Sequence, residues 1–175
     1  MKRIILFILS LIFITSCGKE LNTKTITINN NTDTFILNNE ALKYPMNLGQ
    51  LEYREYKPKH NIEPLKQKEG RGIALYYRDR KEPIGVLIRH KENIAIKDAS
   101  DYSVVYIRVN KSNNLNLEVF NIDFNTTYQE VLDKFKIKPE KKLDELTIEN
   151  KNMEVILEFK KDIINSIKII EKEAI

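Results

Sequence analysis

The strongest constraint on the fold is a strict alternation of apolar side chains near the C-terminus. Four apolar residues occupy every second position of the segment 153–160: Met153, Val155, Leu157 and Phe159. Successive side chains of a β-strand point to opposite faces, so this spacing predicts a strand with one buried face. Lys161-Asp162 suits a turn, and the apolar segment 163–170 suits the returning strand. The C-terminal region is therefore predicted to form an antiparallel hairpin.

The clearest helix signal lies before that hairpin, over about residues 127–136. Its apolar residues follow the i, i+3, i+4, i+7 spacing that lines one helix face: Tyr128, Val131, Leu132 and Phe135. Thr127 with Glu130 three residues later forms a capping box, which satisfies free backbone N–H groups at the helix start. Pro139 prevents continuation of the helix. The next predicted strand covers 146–148.

The first half of the chain repeats this order of elements more loosely. Residues 35–37 predict a short strand, and Tyr44-Pro45 interrupts it. Asn47 with Gln50 has the spacing of a helix cap, which favours a short helix directly after the proline. Segments 73–78 and 84–90 then predict a hairpin with its tip at 79–82. The alternating segment 103–109 predicts a further strand.

These elements predict an α+β fold, with an antiparallel sheet that carries short helices on one face. The length of 175 residues suits a single domain, which we place at 33–175. The order of strand, short helix and hairpin occurs at 33–110 and again at 115–172, which favours a duplicated unit. The residue-level similarity is slight, so the alternative of an incidental echo stays open.

The N-terminal residues carry an export signal. A basic start, Met1-Lys2-Arg3, precedes the apolar run 4–14, which is too short to span a bilayer as a helix. The residues Ile14-Thr15-Ser16-Cys17 resemble the bacterial lipobox, in which small residues precede a cysteine. In lipoproteins of that kind, the thiol receives a diacylglycerol and the signal is cut just before the cysteine.

The lipobox resemblance implies that residues 1–16 are a signal peptide and that Cys17 is lipidated, with palmitate-like acyl chains. It places the protein in the bacterial cell envelope, anchored by lipid on the exported side, with no choice between inner and outer membrane. Because Cys17 is the only cysteine, it is interpreted as a tether and not as a nucleophile. Residues 17–32 are predicted to be a flexible tether, although the alternation of 25–28 also suits a short edge strand.

Charge is concentrated in one region of the chain. Removal of Lys2 and Arg3 lowers the 29 basic residues to 27 against 25 acidic ones, a net charge of +2. This balance and the export signal disfavour a nucleic-acid partner. Segment 57–91 carries ten basic and four acidic residues. It predicts a patch for an envelope protein or an anionic surface: Tyr76, Tyr77, Arg78, Arg80, Lys81 and Arg89. A solvated face with scattered lysines is the alternative.

The sequence offers no catalytic, cofactor or metal motif. His60 and His90 are interpreted as structural, because two histidines without a third ligand do not make a metal site. Asp98 and Asp101 suit a solvated turn. An enzymatic alternative is a hydrolase that uses the two carboxylates Glu130 and Asp133 of the same helix. Both lie on the helix face opposite the apolar one.

The C-terminal 50 residues are similar to a known type of envelope protein. A polar cap and short helix at 125–135 are followed by Pro139, an alternating strand, a charged turn and the segment 164–169. In the order of these elements, this region resembles SmpA/OmlA-type lipoproteins and β-lactamase-inhibitor-like repeats. The glycine expected before Pro139 is missing, and the spacing there is longer. The resemblance implies protein–protein contact and no catalysis.

Together these features predict an acyl-anchored envelope lipoprotein that binds or assembles other proteins and is not an enzyme. Its partners are the membrane, through the lipid, and an unidentified envelope protein or anionic surface. An inhibitor or immunity-type lipoprotein that neutralises a toxin or hydrolase is the alternative.

Overall fold

The computed structural model describes residues 21–58, 71–78, 80–90, 98–139 and 141–172. Its helices are α1 (Leu48–Tyr53) and α2 (Tyr128–Lys134). Its strands are β1 (Thr23–Thr27), β2 (Thr34–Leu37), β3 (Glu40–Lys43), β4 (Met46–Asn47), β5 (Tyr56–Lys57), β6 (Arg71–Tyr77), β7 (Ile84–His90), β8 (Tyr102–Asn110), β9 (Leu117–Glu118), β10 (Glu145–Glu149), β11 (Met153–Lys160) and β12 (Ile163–Glu171).

Among the described residues, nine strands form the main sheet, in the order β1-β10-β11-β12-β8-β7-β6-β5 with β4 beside β8. β1 runs parallel to β10, and the other pairings are antiparallel. A second, three-stranded antiparallel sheet has the order β3-β2-β9. The described part of the chain is thus mainly β, with a mostly antiparallel sheet and short helices.

The main sheet buries one of its two faces, which we call the core face. Alternate residues of β11, β12 and β8 point to it and are fully buried: Val155, Leu157, Ile167, Ile169, Ile107 and Val109. Helix α2 covers this face, and the rings of Tyr128 and Phe159 meet edge-on at 4.9 Å. The helices and the small sheet share one hydrophobic cluster with the core face. The opposite face, which we call the outer face, has no such cover within the described residues.

Both helices begin at the predicted capping boxes. The Asn47 side chain accepts from the backbone N–H of Gln50, while the Gln50 side chain accepts from that of Asn47. Thr127 and Glu130 make the same reciprocal pair before α2. Each cap satisfies two N–H groups that a helix start leaves free. The helices predicted at these positions are confirmed, although α2 ends at Lys134, two residues early.

The predicted strands are confirmed with small differences in length. The segment 153–160 is β11, the returning strand is β12, and the hairpin strands near 73–78 and 84–90 are β6 and β7. Part of the predicted tether is instead strand β1, whose Ile26 lies opposite Ile148 of β10. The alternation at 25–28 therefore indicates an edge strand, because pairing with β10 satisfies one side of its backbone.

Strand β3 is absent from the sequence-based prediction. It returns from β2 through a two-residue turn at Asn38 and Asn39, whose φ angles are 52° and 66°. Asparagine tolerates this left-handed conformation better than most residues do, and two such residues match the twist of a hairpin. The two consecutive asparagines are the signal for a turn between Leu37 and Glu40.

Two buried tyrosines differ in how their hydroxyls are satisfied. Tyr44 is 2% exposed, and its hydroxyl donates to the Ile169 carbonyl at 3.0 Å. Tyr56 is also 2% exposed, but its hydroxyl has no hydrogen-bond partner among the described residues. Burial raises the pKa of both phenols far above their usual range. An unsatisfied buried hydroxyl costs free energy that a satisfied one recovers.

We expect Tyr56→Phe and Tyr44→Phe to change stability in opposite directions. Tyr56→Phe removes an unpaired buried hydroxyl and raises the free energy of unfolding by about 1 kcal/mol. Tyr44→Phe removes the buried hydrogen bond to the Ile169 carbonyl and lowers that free energy by about 1 kcal/mol. Denaturant unfolding of the two variants and the wild type measures both changes. Equal destabilisation by the two variants would contradict the difference between the hydroxyls.

Candidate binding surface

The outer face carries an apolar stripe across its central strands. Ile170 of β12 lies opposite Tyr106 of β8, which lies opposite Leu87 of β7. Ile156 of β11 points to the same face. All four side chains are only partly buried. Strand alternation places them here because their sequence neighbours fill the core.

Charged side chains lie beside this stripe, with the two signs on different strands. The acidic side is β10 and β11, whose paired outward positions hold five polar residues, Thr147 and four glutamates: Glu145, Glu149, Glu154 and Glu158. The basic side is β12 and β8, with Lys168 opposite Arg108. The outer face is therefore divided into an acidic half and a basic half.

Ion pairs hold several of these side chains in place. The Arg108 guanidinium donates to Glu158 at 2.7 Å and to the buried Ser166 hydroxyl at 3.0 Å. The Lys168 amine lies 3.2 Å from the other Glu158 oxygen. Hydrogen bonds from Lys172 and a threonine hold the pKa of Glu149 below its usual value. Fixed side chains lose less entropy when a partner binds, so this arrangement suits recognition.

Three of the outward positions of β6 and β7 are occupied by small residues. Gly72 and Ala74 of β6 and Gly85 of β7 point outwards. A Cβ atom at Gly72 would meet no atom within 4 Å, and at Gly85 its nearest neighbour would be the Arg108 Cβ at 3.6 Å. A partner backbone has room to approach the sheet closely at these positions.

The structure divides the predicted basic patch between two surfaces. Tyr76 and Arg89 lie on outward positions of β6 and β7, in the same set as Gly72 and Leu87. Tyr77 points to the core face, where its ring lies 4.8 Å from that of Tyr56. The patch is split because adjacent strand residues point to opposite faces.

The remaining predicted patch residues lie at the tip of the β6–β7 hairpin. Arg78 forms an ion pair with Glu55, and its guanidinium lies 5.1 Å from the centre of the Tyr77 ring. Arg80 and Lys81 follow it and are exposed. The Arg78 charge is therefore compensated within the protein, which leaves Arg80 and Lys81 as the cations at the described part of the tip.

The carboxylates considered for hydrolysis already have local partners. A backbone N–H of Thr127 donates to Glu130 at 2.7 Å and lowers the pKa of Glu130. Asp133 accepts from the Gln129 amide at 2.8 Å. Both line an open depression of about 560 Å³ at the start of α2. A general acid needs a raised pKa, so the lowered pKa of Glu130 suits a helix cap.

Asp98 and Asp101 close a 3₁₀ turn, as expected of a solvated turn. Asp98 accepts from the backbone N–H of Ser100 at 2.7 Å, and Asp101 accepts from that of Asp98 at 3.1 Å. His60 lies outside the described residues. Across the described ranges, no group of three His, Cys, Asp or Glu residues is placed to hold a metal ion.

A second depression of about 440 Å³ lies between the small sheet and the end of α2. Partly buried rings of Phe120 and Phe135 line it with Ile28 and Ile36. Phe120 has a left-handed backbone, with φ 53°, in the turn that pairs Val119 with Ile122. A bulky residue is strained in this conformation.

Sequence reasoning identifies the two sides of β8 but not the apolar stripe. Tyr106 and Arg108 alternate with buried residues, which indicates an outward position and nothing about their neighbours.

The chain matches no protein-family model, no curated protein and no solved structure. In the described parts of the chain, no helix has the length and apolar character needed to cross a membrane.

Proposed function

We propose that this protein is a lipid-anchored, non-enzymatic protein of the bacterial cell envelope that binds another protein through the outer face. The lipobox-like residues up to Cys17 support the anchor. The observation that carries the binding role is the apolar stripe of the outer face, which no element of the described ranges covers and which has charged side chains beside it. An exposed apolar surface with a charged border is typical of protein interaction sites.

The chemistry of the outer face specifies its partner. The partner presents an apolar surface to Tyr106 and Leu87 and a cationic edge to the glutamates of β10–β11. It needs no matching anionic edge, because Arg108 and Lys168 are already paired with Glu158. The reversed orientation would take the cationic edge away from the glutamates, so the divided charge sets the orientation of the complex. Tyr76 and Arg89 of the predicted patch extend this surface, whereas Arg80 and Lys81 at the tip lie beside it.

Site-specific photo-crosslinking in intact cells tests the binding face. A photoreactive phenylalanine analogue replaces Tyr106 in one variant and Tyr53 in the other. Tyr53 is the matched control, because it is a tyrosine that is 88% exposed but lies on α1. We expect a discrete crosslinked protein from position 106 and none from position 53. Crosslinks of equal yield from both positions, or none from position 106, would contradict binding through the outer face.

The anchor is tested separately by Cys17→Ala. Two or three acyl chains hold a protein stably on a bilayer, since each buried CH₂ contributes about 0.8 kcal/mol. We therefore expect the wild type to partition into detergent and the variant to lose acyl mass and leave that phase. Unchanged partitioning of the variant would disprove the lipid anchor.

The identity of the protein crosslinked at position 106 decides between assembly and inhibition. A secreted toxin or hydrolase favours the inhibitor alternative.

We also propose that the fold consists of two copies of one unit. Two similarities of local structure support this. Each capped helix precedes an antiparallel meander, β6-β7-β8 after α1 and β10-β11-β12 after α2, although the first also has the two-residue strand β5 before it. Each N-cap residue pairs with the start of its own third strand, Asn47 with Ser103 and Thr127 with Ile163. The two third strands, β8 and β12, adjoin antiparallel at the sheet centre.

A further inference from the structure

The chain from Cys17 joins the fold at a fixed point. The Asn22 amide donates to the Lys142 carbonyl at 2.7 Å, and the Asn22 backbone N–H donates to Asp144 at 3.1 Å. The Asn22 carbonyl accepts from the Asp144 N–H at 2.8 Å. Residue Thr23 then begins β1 opposite Glu145. The start of the described chain is therefore held at one end of the main sheet.

The linker between lipid and domain is short. Four residues, 18–21, separate Cys17 from Asn22. Five extended steps of about 3.6 Å limit the distance between the Cys17 and Asn22 Cα atoms to about 18 Å. A lipidated Cys17 lies at the bilayer surface, so this end of the domain stays close to the headgroups.

The residues around Asn22 form what we call the anchor-proximal end. The β11–β12 turn belongs to it, because the Phe159 N–H donates to the Asp144 carbonyl at 2.9 Å and Lys142 pairs with Asp162 at 2.6 Å. The exposed lysines of this end are Lys141, Lys142, Lys160 and Lys161. Among the described residues, only Lys142 of the four has a carboxylate partner.

Exposed apolar side chains mark the same end. Three large apolar residues are exposed in the described part of the chain: Leu21, Tyr53 and Ile163. Leu21, 59% exposed, directly precedes Asn22, and Ile163, 43% exposed, follows the Lys161-Asp162 turn. Lysines beside exposed apolar side chains are the composition that binds the surface of an anionic bilayer.

We infer that the anchor-proximal end docks onto the bilayer, where its lysines contact anionic phospholipid headgroups and Leu21 and Ile163 enter the interface. The inference rests on the proposed lipid anchor and adds the orientation of the domain to it. The strands of the main sheet then extend away from the membrane, and the outer face stands to one side, open to a partner.

Hydrogen–deuterium exchange on the full-length lipidated protein in nanodiscs tests this docking. Nanodiscs of phosphatidylcholine alone are compared with nanodiscs that also contain phosphatidylglycerol. Each lysine near an anionic surface strengthens attachment by about fivefold. We therefore expect the amides of 141–144 and 160–163 to exchange at least about fivefold more slowly on the anionic discs, with the difference lost at high salt.

Two double variants with equal charge change complete the experiment. K160E/K161E should lose the slowed exchange, whereas K57E/K151E should keep it, because Lys57 and Lys151 are exposed far from Asn22. Equal exchange on both kinds of disc, or slowing at 150–152 instead, would overturn the docking. Intact mass reports the acyl chains of the same sample. Acylated protein without slowed exchange defeats the docking alone, whereas missing acyl chains defeat the anchor and the docking together.

Discussion

Replacement of Ile169 with alanine is expected to lower the free energy of unfolding by about 2–5 kcal/mol, as for other fully buried isoleucines. Ile169 is 0% exposed on the core face, between Val155 of β11 and Ile107 of β8. The change removes apolar surface from the core and leaves a cavity that neighbouring strands cannot close, because the sheet hydrogen bonds fix their positions.

The next residue provides a matched control. Ile170 has the same side chain but points to the outer face, where it is partly exposed beside Tyr106. We expect Ile170→Ala to cost about 1 kcal/mol or less, because less apolar surface leaves water there on folding. Denaturant unfolding of the two single variants measures the difference. Similar costs for both would show that the outer face is as closely packed as the core face.

Asn150→Ala is expected to cost about 3 kcal/mol of unfolding free energy, because it strands several polar groups at once. Asn150 is 1% exposed. Its side-chain oxygen accepts from the N–H groups of Asn152 and Met153, both at 2.8 Å. Its side-chain nitrogen donates to the Asn30 oxygen at 2.6 Å and the Thr32 carbonyl at 2.7 Å. One side chain thus closes the β10–β11 turn and fastens the segment between β1 and β2.

Asn152→Ala is the control for this prediction. The Asn152 side chain donates to the Asn31 carbonyl at 2.8 Å from an exposed position, so its loss should cost about 1 kcal/mol or less. Asn150→Asp should cost at least as much as Asn150→Ala, because the carboxylate keeps the turn acceptors but places a buried charge against the Asn30 and Thr32 oxygens. Unfolding curves rank the three variants, and hydrogen exchange at 30–32 should rise only in the Asn150 variants. A cost at Asn150 no larger than at Asn152 would contradict the buried network.

Local sequence patterns predict most of the secondary structure of this protein. The alternation of 153–160 and the capping pairs at Asn47 and Thr127 act through neighbours at most a few residues away, so they are visible in the chain itself. The sequence pattern does not predict strand β3, because the turn at Asn38 and Asn39 contains neither the glycine nor the proline that most often marks a hairpin. Strand β1 was placed in the tether because its stability comes from β10, more than a hundred residues later.

The candidate binding surface shows the limit of such patterns. Composition groups Tyr76, Tyr77 and Arg78 because they are consecutive, but strand geometry sends the first two to opposite faces, and Glu55 neutralises the third. The stripe from Ile170 to Leu87 comes from three strands whose order along the sheet is not their order in the chain. No spacing along the sequence connects these residues.

The sequence by itself determined the positions of both helices and the alternating strands, because these depend on local chemistry and periodicity. Only the tertiary structure decided that β12 and β8 adjoin at the centre of the main sheet, that one face of this sheet carries no packed element from the described residues, and that Asn22 meets Lys142 and Asp144 beside the lysines of the β11–β12 turn. These features depend on strand register and on joint burial of distant segments. Such burial is a property of the whole folded chain, since the core face packs in one hydrophobic cluster with elements from both halves of the sequence.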